Sequence, residues 1–243
     1  RKLNFPRQLK IWLHLWFVSF LLNSIPGVLF AFAETKVTSI LAGILNATTP
    51  LMTIAVIFIA FREEKPKAHH IVGLVVGAVG VFVVLGAWEG IGSNPLWAVG
   101  VLLIATLGYG ISFPYSRKFI IPLKLEPEVA AATQLILATV TLLPFFIVNG
   151  FERSNPRTSA IIAMAALGIF GSGFAYIWNF RIIERAGSAI ASTVTYVTPV
   201  VAVIVGILFL GENLKWYEPL GGLIVLLGAA ISQGRLNVLL KRA

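Results

Sequence analysis

Two stretches decide how this chain is read: residues 46–73, NATTPLMTIAVIFIAFREEKPKAHHIVG, and residues 195–222, TYVTPVVAVIVGILFLGENLKWYEPLGG. Laid on each other at a shift of 149 without a gap, they pair Thr49 with Thr198, Pro50 with Pro199, Glu63 with Glu212 and Gly73 with Gly222. A helix-interrupting proline, a carboxylate at the end of an apolar run and a glycine in the next run recur in the same order, so the chain contains a diverged internal repeat. The apolar run that contains each proline, roughly 37–60 and 188–210, is long enough to cross a bilayer, which needs about 20 such residues.

The surroundings of the repeat are equally apolar. Of 243 residues 58% are hydrophobic and 12% charged, with a mean hydropathy of +0.90; a soluble domain usually carries about 25% charge. Too few charges remain to cover an apolar surface in water, so lipid must solvate it. The net charge of +9 is spread over the ends of apolar runs rather than gathered on one soluble face, which argues against a nucleic-acid partner. All ten acidic residues are Glu, and there is no cysteine to form a disulfide or ligate a metal.

Apolar runs predict membrane-spanning helices at roughly 11–33, 37–60, 71–88, 96–116, 129–148, 158–180, 188–210 and 217–234. With the connections numbered alternately, all of the 19 Lys and Arg except Lys36, Arg153, Arg157 and Lys215 fall on one side. The positive-inside rule makes that side cytoplasmic and puts both ends of the sequence there. Glu63 and Glu212 then lie on opposite sides, so the two repeats are inverted, as in many secondary transporters. Three spans precede Pro199 in its repeat and one precedes Pro50. The expected fold is therefore an all-α integral membrane protein with eight helices in this sequence. These would form 1–93, the remainder of the first repeat, and 94–243, the second, of a five-plus-five architecture with two helices ahead of Arg1.

Pro199 followed by Leu210-Gly211-Glu212-Asn213-Leu214 and Gly221-Gly222, with the weaker first copy Arg62-Glu63-Glu64, resembles the EamA family of the drug/metabolite transporter superfamily. The resemblance covers essentially the whole chain and implies ten helices in two inverted halves. Aromatic content and the absence of charge within the spans are most similar to the amino-acid exporters of the YddG type.

Polar residues form stripes at helical spacing: Trp16 and Asn23; Asn46 and Thr49; Tyr109 and Ser112; Ser172, Tyr176 and Asn179, with Trp178 beside them; and Thr195 with Tyr196 leading into Pro199. Small and hydroxyl residues also serve helix packing in membranes, but an amide in hydrocarbon must find partners. These twelve residues are the candidate substrate-binding set, and Pro50 and Pro199, mid-span, are candidate hinges. The spans 71–88 and 217–234 lack such stripes. They carry Gly73, Gly77 and Gly80, and Gly221, Gly222 and Gly228, and read as packing scaffold. Trp88, Trp97 and Trp216 mark membrane interfaces.

No Asp, Glu, Lys or Arg lies near the middle of a span, so neither a proton-relay carboxylate nor a buried cation for a phosphorylated solute is evident. HExxH, paired carboxylates and Walker-type loops are missing too, and no cofactor or metal is expected. The expected function is export of a small neutral or zwitterionic metabolite, an amino acid foremost, across the plasma membrane by alternating access. Its partners would be that solute and the lipid bilayer. Efflux of lipophilic cations, or a non-transporting enzyme or scaffold, are the alternatives.

Overall fold

The computed structural model describes residues 5–61, 68–84, 95–149, 157–232 and 234. Among them every regular element is helical, in eight helices: α1 (Leu9–Ala33), α2 (Ser39–Phe61), α3 (Ala68–Val84), α4 (Leu96–Leu123), α5 (Pro127–Asn149), α6 (Thr158–Ala186), α7 (Ser188–Leu210) and α8 (Tyr217–Ser232). Six of these, all but α3 and α8, are long and apolar enough to cross a membrane. At about 1.5 Å per residue, α1 alone spans roughly 37 Å. Rows of Ile, Leu, Val and Phe stand exposed on α5, α6 and α7, apolar faces that need lipid or further apolar helices against them.

Two helices run past the expected ends. The fourth was expected to stop near residue 116 and the sixth near 180, but α4 continues through Arg117 and Lys118 to Leu123, and α6 through Arg181 and Arg185 to Ala186. The hydropathy boundary marks where side chains leave hydrocarbon. The backbone ladder has no reason to end there, and long basic side chains reach headgroups from a helix. Arg181 pairs with Glu128 at the start of α5. The third span, expected to reach residue 88, is helical to Val84; residues 85–94, with Trp88, lie outside the described residues.

Several helices are interrupted where proline dictates. In α1, Phe20–Ser24 form a π-turn ahead of Pro26; a proline without N–H leaves carbonyls of the preceding turn unbonded. Gly108 of α4 approaches the Leu21 carbonyl there, and a β-carbon on it would lie 3.0 Å from that oxygen. The α2 helix breaks at Ala47 and Thr48, and Pro50 sits in the first turn of its second stretch. In α7 the 3-10 turn Ser192–Tyr196 precedes the stretch Val197–Leu210, whose first turn holds Pro199. Pro26, Pro50 and Pro199 thus each fall in the first turn of a new helical stretch, where the missing donor is one of those left over anyway. Pro114 and Pro144, by contrast, lie inside helices.

Packing follows the small residues. Helices α3 and α8 run antiparallel in near-backbone contact: a β-carbon on Gly73 would lie 2.3 Å from Ser232 Cβ, one on Gly228 2.4 Å from Gly77 N, and one on Gly221 2.4 Å from Val84 N. The first stretch of α2 packs on the second stretch of α7, where a β-carbon on Gly43 would meet Ala202 Cβ at 2.3 Å. Reciprocally, the second stretch of α2 packs on the 3-10 turn of α7. One core cluster joins Ile40, Leu41, Ile44 and Leu45 of α2 to Val84 of α3 and Leu102 of α4; another joins Leu15 and Val18 of α1 to Phe113, Ala130 and Phe180.

The acidic end of α7 has a defined task. Gly211, at φ +65°, turns the chain back so that Glu212 N–H donates to Gly206 O at 2.9 Å. The Glu212 carboxylate then accepts from Ser39 N (2.8 Å) and Ile40 N (3.1 Å), the otherwise unbonded donors at the start of α2. A carboxylate on a helix N-terminus also meets the positive end of the helix dipole.

Candidate functional site: two chambers sharing one wall

Where α2 and α7 break, Asn46 and Thr195 line a cavity. The first chamber, about 320 Å³, is bounded by α1, α2, α4, α6 and α7; its walls include Leu22, Asn46, Tyr109, Phe113, Tyr176, Trp178, Asn179 and Thr195. The second, about 310 Å³, lies between the C-terminal end of α1, the start of α2, α4 and the second stretch of α7, with Phe30, Glu34, Ser39, Thr198 and Val201 among its walls. Asn46 and Tyr109 line both. They stand where the chambers abut.

The position of Asn46 follows from its local sequence. It is the last residue of the first stretch of α2, and the following turn is fixed by Thr48 Oγ1 donating to Leu45 O (2.7 Å) and Thr49 Oγ1 to Asn46 O (2.8 Å). Its side chain reaches across to α7, Nδ2 donating to Thr198 Oγ1 at 3.3 Å, while Oδ1 accepts from Thr49 Oγ1 at 3.3 Å. Both contacts are long for hydrogen bonds, so a solute that competes for the amide displaces little. Tyr109 is held by stacking on Phe30, ring centroids 6.1 Å apart.

Of the twelve sequence-derived candidates, six meet at the first chamber: Asn46, Tyr109, Tyr176, Trp178, Asn179 and Thr195. Trp178 stands at its edge, 61% exposed. Tyr196 belongs to the 3-10 turn, and its side chain lies outside the described residues. The other five do not line either chamber. Thr49 and Ser112 are buried and spend their hydroxyls on the backbone, Ser112 donating to Tyr109 O at 2.8 Å. Trp16 faces outward and donates to Thr141 Oγ1 at 3.1 Å. Asn23 accepts from Gln134 Nε2 at 2.6 Å, tying α1 to α5. Ser172 lies in the π-helical stretch Leu167–Phe174, away from both cavities. Helical spacing shows which residues share a face but not which neighbour that face meets, and a threonine or serine that bonds its own helix needs no solute.

Sequence reasoning passed over the second chamber. Glu34 sits just beyond α1, where a charge reads as a span end, and Thr198 entered only as the repeat partner of Thr49. The Glu34 carboxyl is pushed above the ordinary carboxylate range, first because surrounding protein removes part of its hydration; a hydrogen bond from Ser39 opposes this, and the nearby Glu212 charge adds to it. Gln134, fully buried in α5, was also overlooked because a single amide leaves no periodic pattern.

The EamA-like transporter family profile matches residues 1–86 and 96–233. The chain is 27% identical over 211 residues to an uncharacterized inner membrane transporter of Escherichia coli (strain K12), YedA, covering 86% of this chain and 67% of that protein. It is likewise 27% identical over 219 residues to an uncharacterized transporter of Clostridium kluyveri, covering 86% of this chain and 68% of the relative. A solved crystal structure shares the fold, with a TM-score of 0.65 at 22% identity over 95% of this chain and 79% of its own.

Proposed function

The chain belongs to the EamA-like transporter family, and from that premise we propose that it exports a small neutral or zwitterionic metabolite, an amino acid with an apolar or aromatic side chain, across the inner membrane by alternating access. As a multi-pass membrane protein of that family it is a transporter; the solute, direction and mechanism are our reading. One observation carries it: two chambers of similar size abut at a shared wall of Asn46 and Tyr109. A solute held in the first has amide, hydroxyl and phenol groups for its polar end and the rings of Tyr109, Phe113 and Tyr176 for its side chain. Aromatic contacts of this kind contribute about 0.5–1.5 kcal/mol each.

The inverted-repeat reading is supported by the packing. At a shift of 149 the first stretch of α2 corresponds to the opening of α7, and the second to the rest of α7, so the two reciprocal α2–α7 contacts are images of one another. The same shift exchanges α3 with α8, whose antiparallel contact is centred near Ala78 and its repeat partner Leu227. A two-fold axis in the membrane plane produces such self-matching contacts. Rocking of the halves about this contact would open one chamber while closing the other. Glu34 and Lys36 lie on the basic-poor side, which makes the second chamber the outer one.

Counterflow in sealed proteoliposomes with a panel of amino acids, sugar phosphates and lipophilic cations tests this reading. Saturable exchange of apolar or aromatic amino acids, with none of the sugar phosphates, is expected. No exchange of any amino acid overturns it. Efflux of lipophilic cations is the second reading, and the carboxylate in the second chamber is the observation that favours it; exchange of those cations alone would select it.

A further inference from the structure

The first chamber holds no ionisable carboxylate or cation among its described walls, but the second has one carboxylate, Glu34, which is solvent-exposed. That carboxylate has no structural employment at the helix end beside it. The start of α2 is already satisfied twice over: Thr38 Oγ1 accepts from Leu41 N at 3.2 Å, and Glu212 takes the N–H groups of Ser39 and Ile40. Glu34 is left with a single long contact, from Ser39 Oγ at 3.5 Å, and among the described residues no Lys or Arg pairs with it. Phe30 and Tyr109, stacked on one another, and Thr198 line the same chamber. A carboxylate, two aromatic residues and a hydroxyl oxygen around about 310 Å³ make a site for a cationic group, and the nearby Glu212 adds a second negative charge.

We propose that the second chamber is a distinct subsite selective for an ammonium group, with Glu34 as its counter-charge and the Phe30–Tyr109 pair as its wall. The ammonium of an amine or amino acid that passes the Asn46–Tyr109 wall exchanges the acceptors of the first chamber for a carboxylate. Glu34 thereby sets specificity for aminated over deaminated solutes. This rests on the transport reading above.

Equilibrium binding to the intact protein in detergent tests the subsite separately from transport, with phenethylammonium and the isosteric neutral phenethyl alcohol as probes, read by displacement of one by the other and by thermal shift. Wild-type protein should bind the ammonium roughly tenfold or more tightly than the alcohol. Glu34→Gln should bring the ratio close to one, Glu34→Asp should keep most of it, and Lys36→Gln, which alters a neighbouring exposed charge, should leave it unchanged. Equal binding of the two probes by wild-type protein overturns the subsite, as does a Glu34→Gln protein, folded by its melting curve, that keeps the preference. Failure of amino-acid counterflow with this preference intact would count against the transport reading alone.

Discussion

Asn46 is the residue on which both chambers depend. Its amide stands at the end of a broken helix, faces both cavities and bonds Thr198 across the repeat. Asn46→Ala is expected to lower solute exchange at least about tenfold, the loss of roughly 1.4 kcal/mol or more for a buried polar partner. The fold should survive, because α2 is capped at its other end. Exchange at wild-type rates in a folded Asn46→Ala protein would remove this residue from the pathway. Glu34 offers a pH test. Its carboxyl is raised in the folded state, chiefly by lost hydration, so the folded protein holds that proton more tightly than the unfolded chain. Its contribution to stability is full below the unfolded carboxylate value, about 4.3, and is lost as pH rises through the folded value. Glu34→Gln should melt like wild type near pH 4 and above it at pH 7. A difference that is constant across this range would sink the assignment.

At the scale of elements, the glycines of α3 and α8 and the prolines of α2 and α7 do opposite work. The glycines let two helices touch backbone to backbone, so their replacement must move a helix. The cost depends on what the new methyl meets. A β-carbon on Gly228 would lie 2.4 Å from the backbone nitrogen of Gly77, whereas one on Gly77 would lie 2.1 Å from the tip of the flexible Leu51 side chain. Gly228→Ala is therefore expected to destabilise by about 1–3 kcal/mol, more than Gly77→Ala does, in thermal or denaturant unfolding of the purified protein. The reverse order would mean that the α3–α8 contact yields more readily than Leu51. The prolines were legible as mid-span interruptions. That each opens a half-helix after a turn, with a polar residue held at the break, was not: the break depends on Thr48 and Thr49 bonding backwards to carbonyls.

For the whole molecule, the segregation of basic residues predicts a topology. A single cysteine placed at Lys36, in a sequence with none of its own, should react with an impermeant maleimide added outside intact cells, and one placed at Lys124 should not. Labelling in the opposite pattern would invert the orientation and exchange which chamber faces out.

The number and approximate course of the helices follow from hydropathy, because burial in lipid is a local property of about 20 consecutive side chains. The repeat is likewise a property of order along the chain. Sequence also placed Asn46, Tyr109, Tyr176, Trp178, Asn179 and Thr195 on polar stripes, and tertiary structure gathered these six at one cavity. It sent Trp16, Asn23, Thr49 and Ser112 elsewhere, because their partners (Thr141, Gln134 and nearby backbone carbonyls) are fixed by which helix lies alongside and by local bonding. Helix contact is set by shape at close range, where a missing methyl at Gly43 or Gly228 decides which backbone can approach. The second chamber arises in the same way. Glu34 and Thr198 are 164 positions apart in the chain, and they line one cavity only because the second stretch of α7 packs on the start of α2.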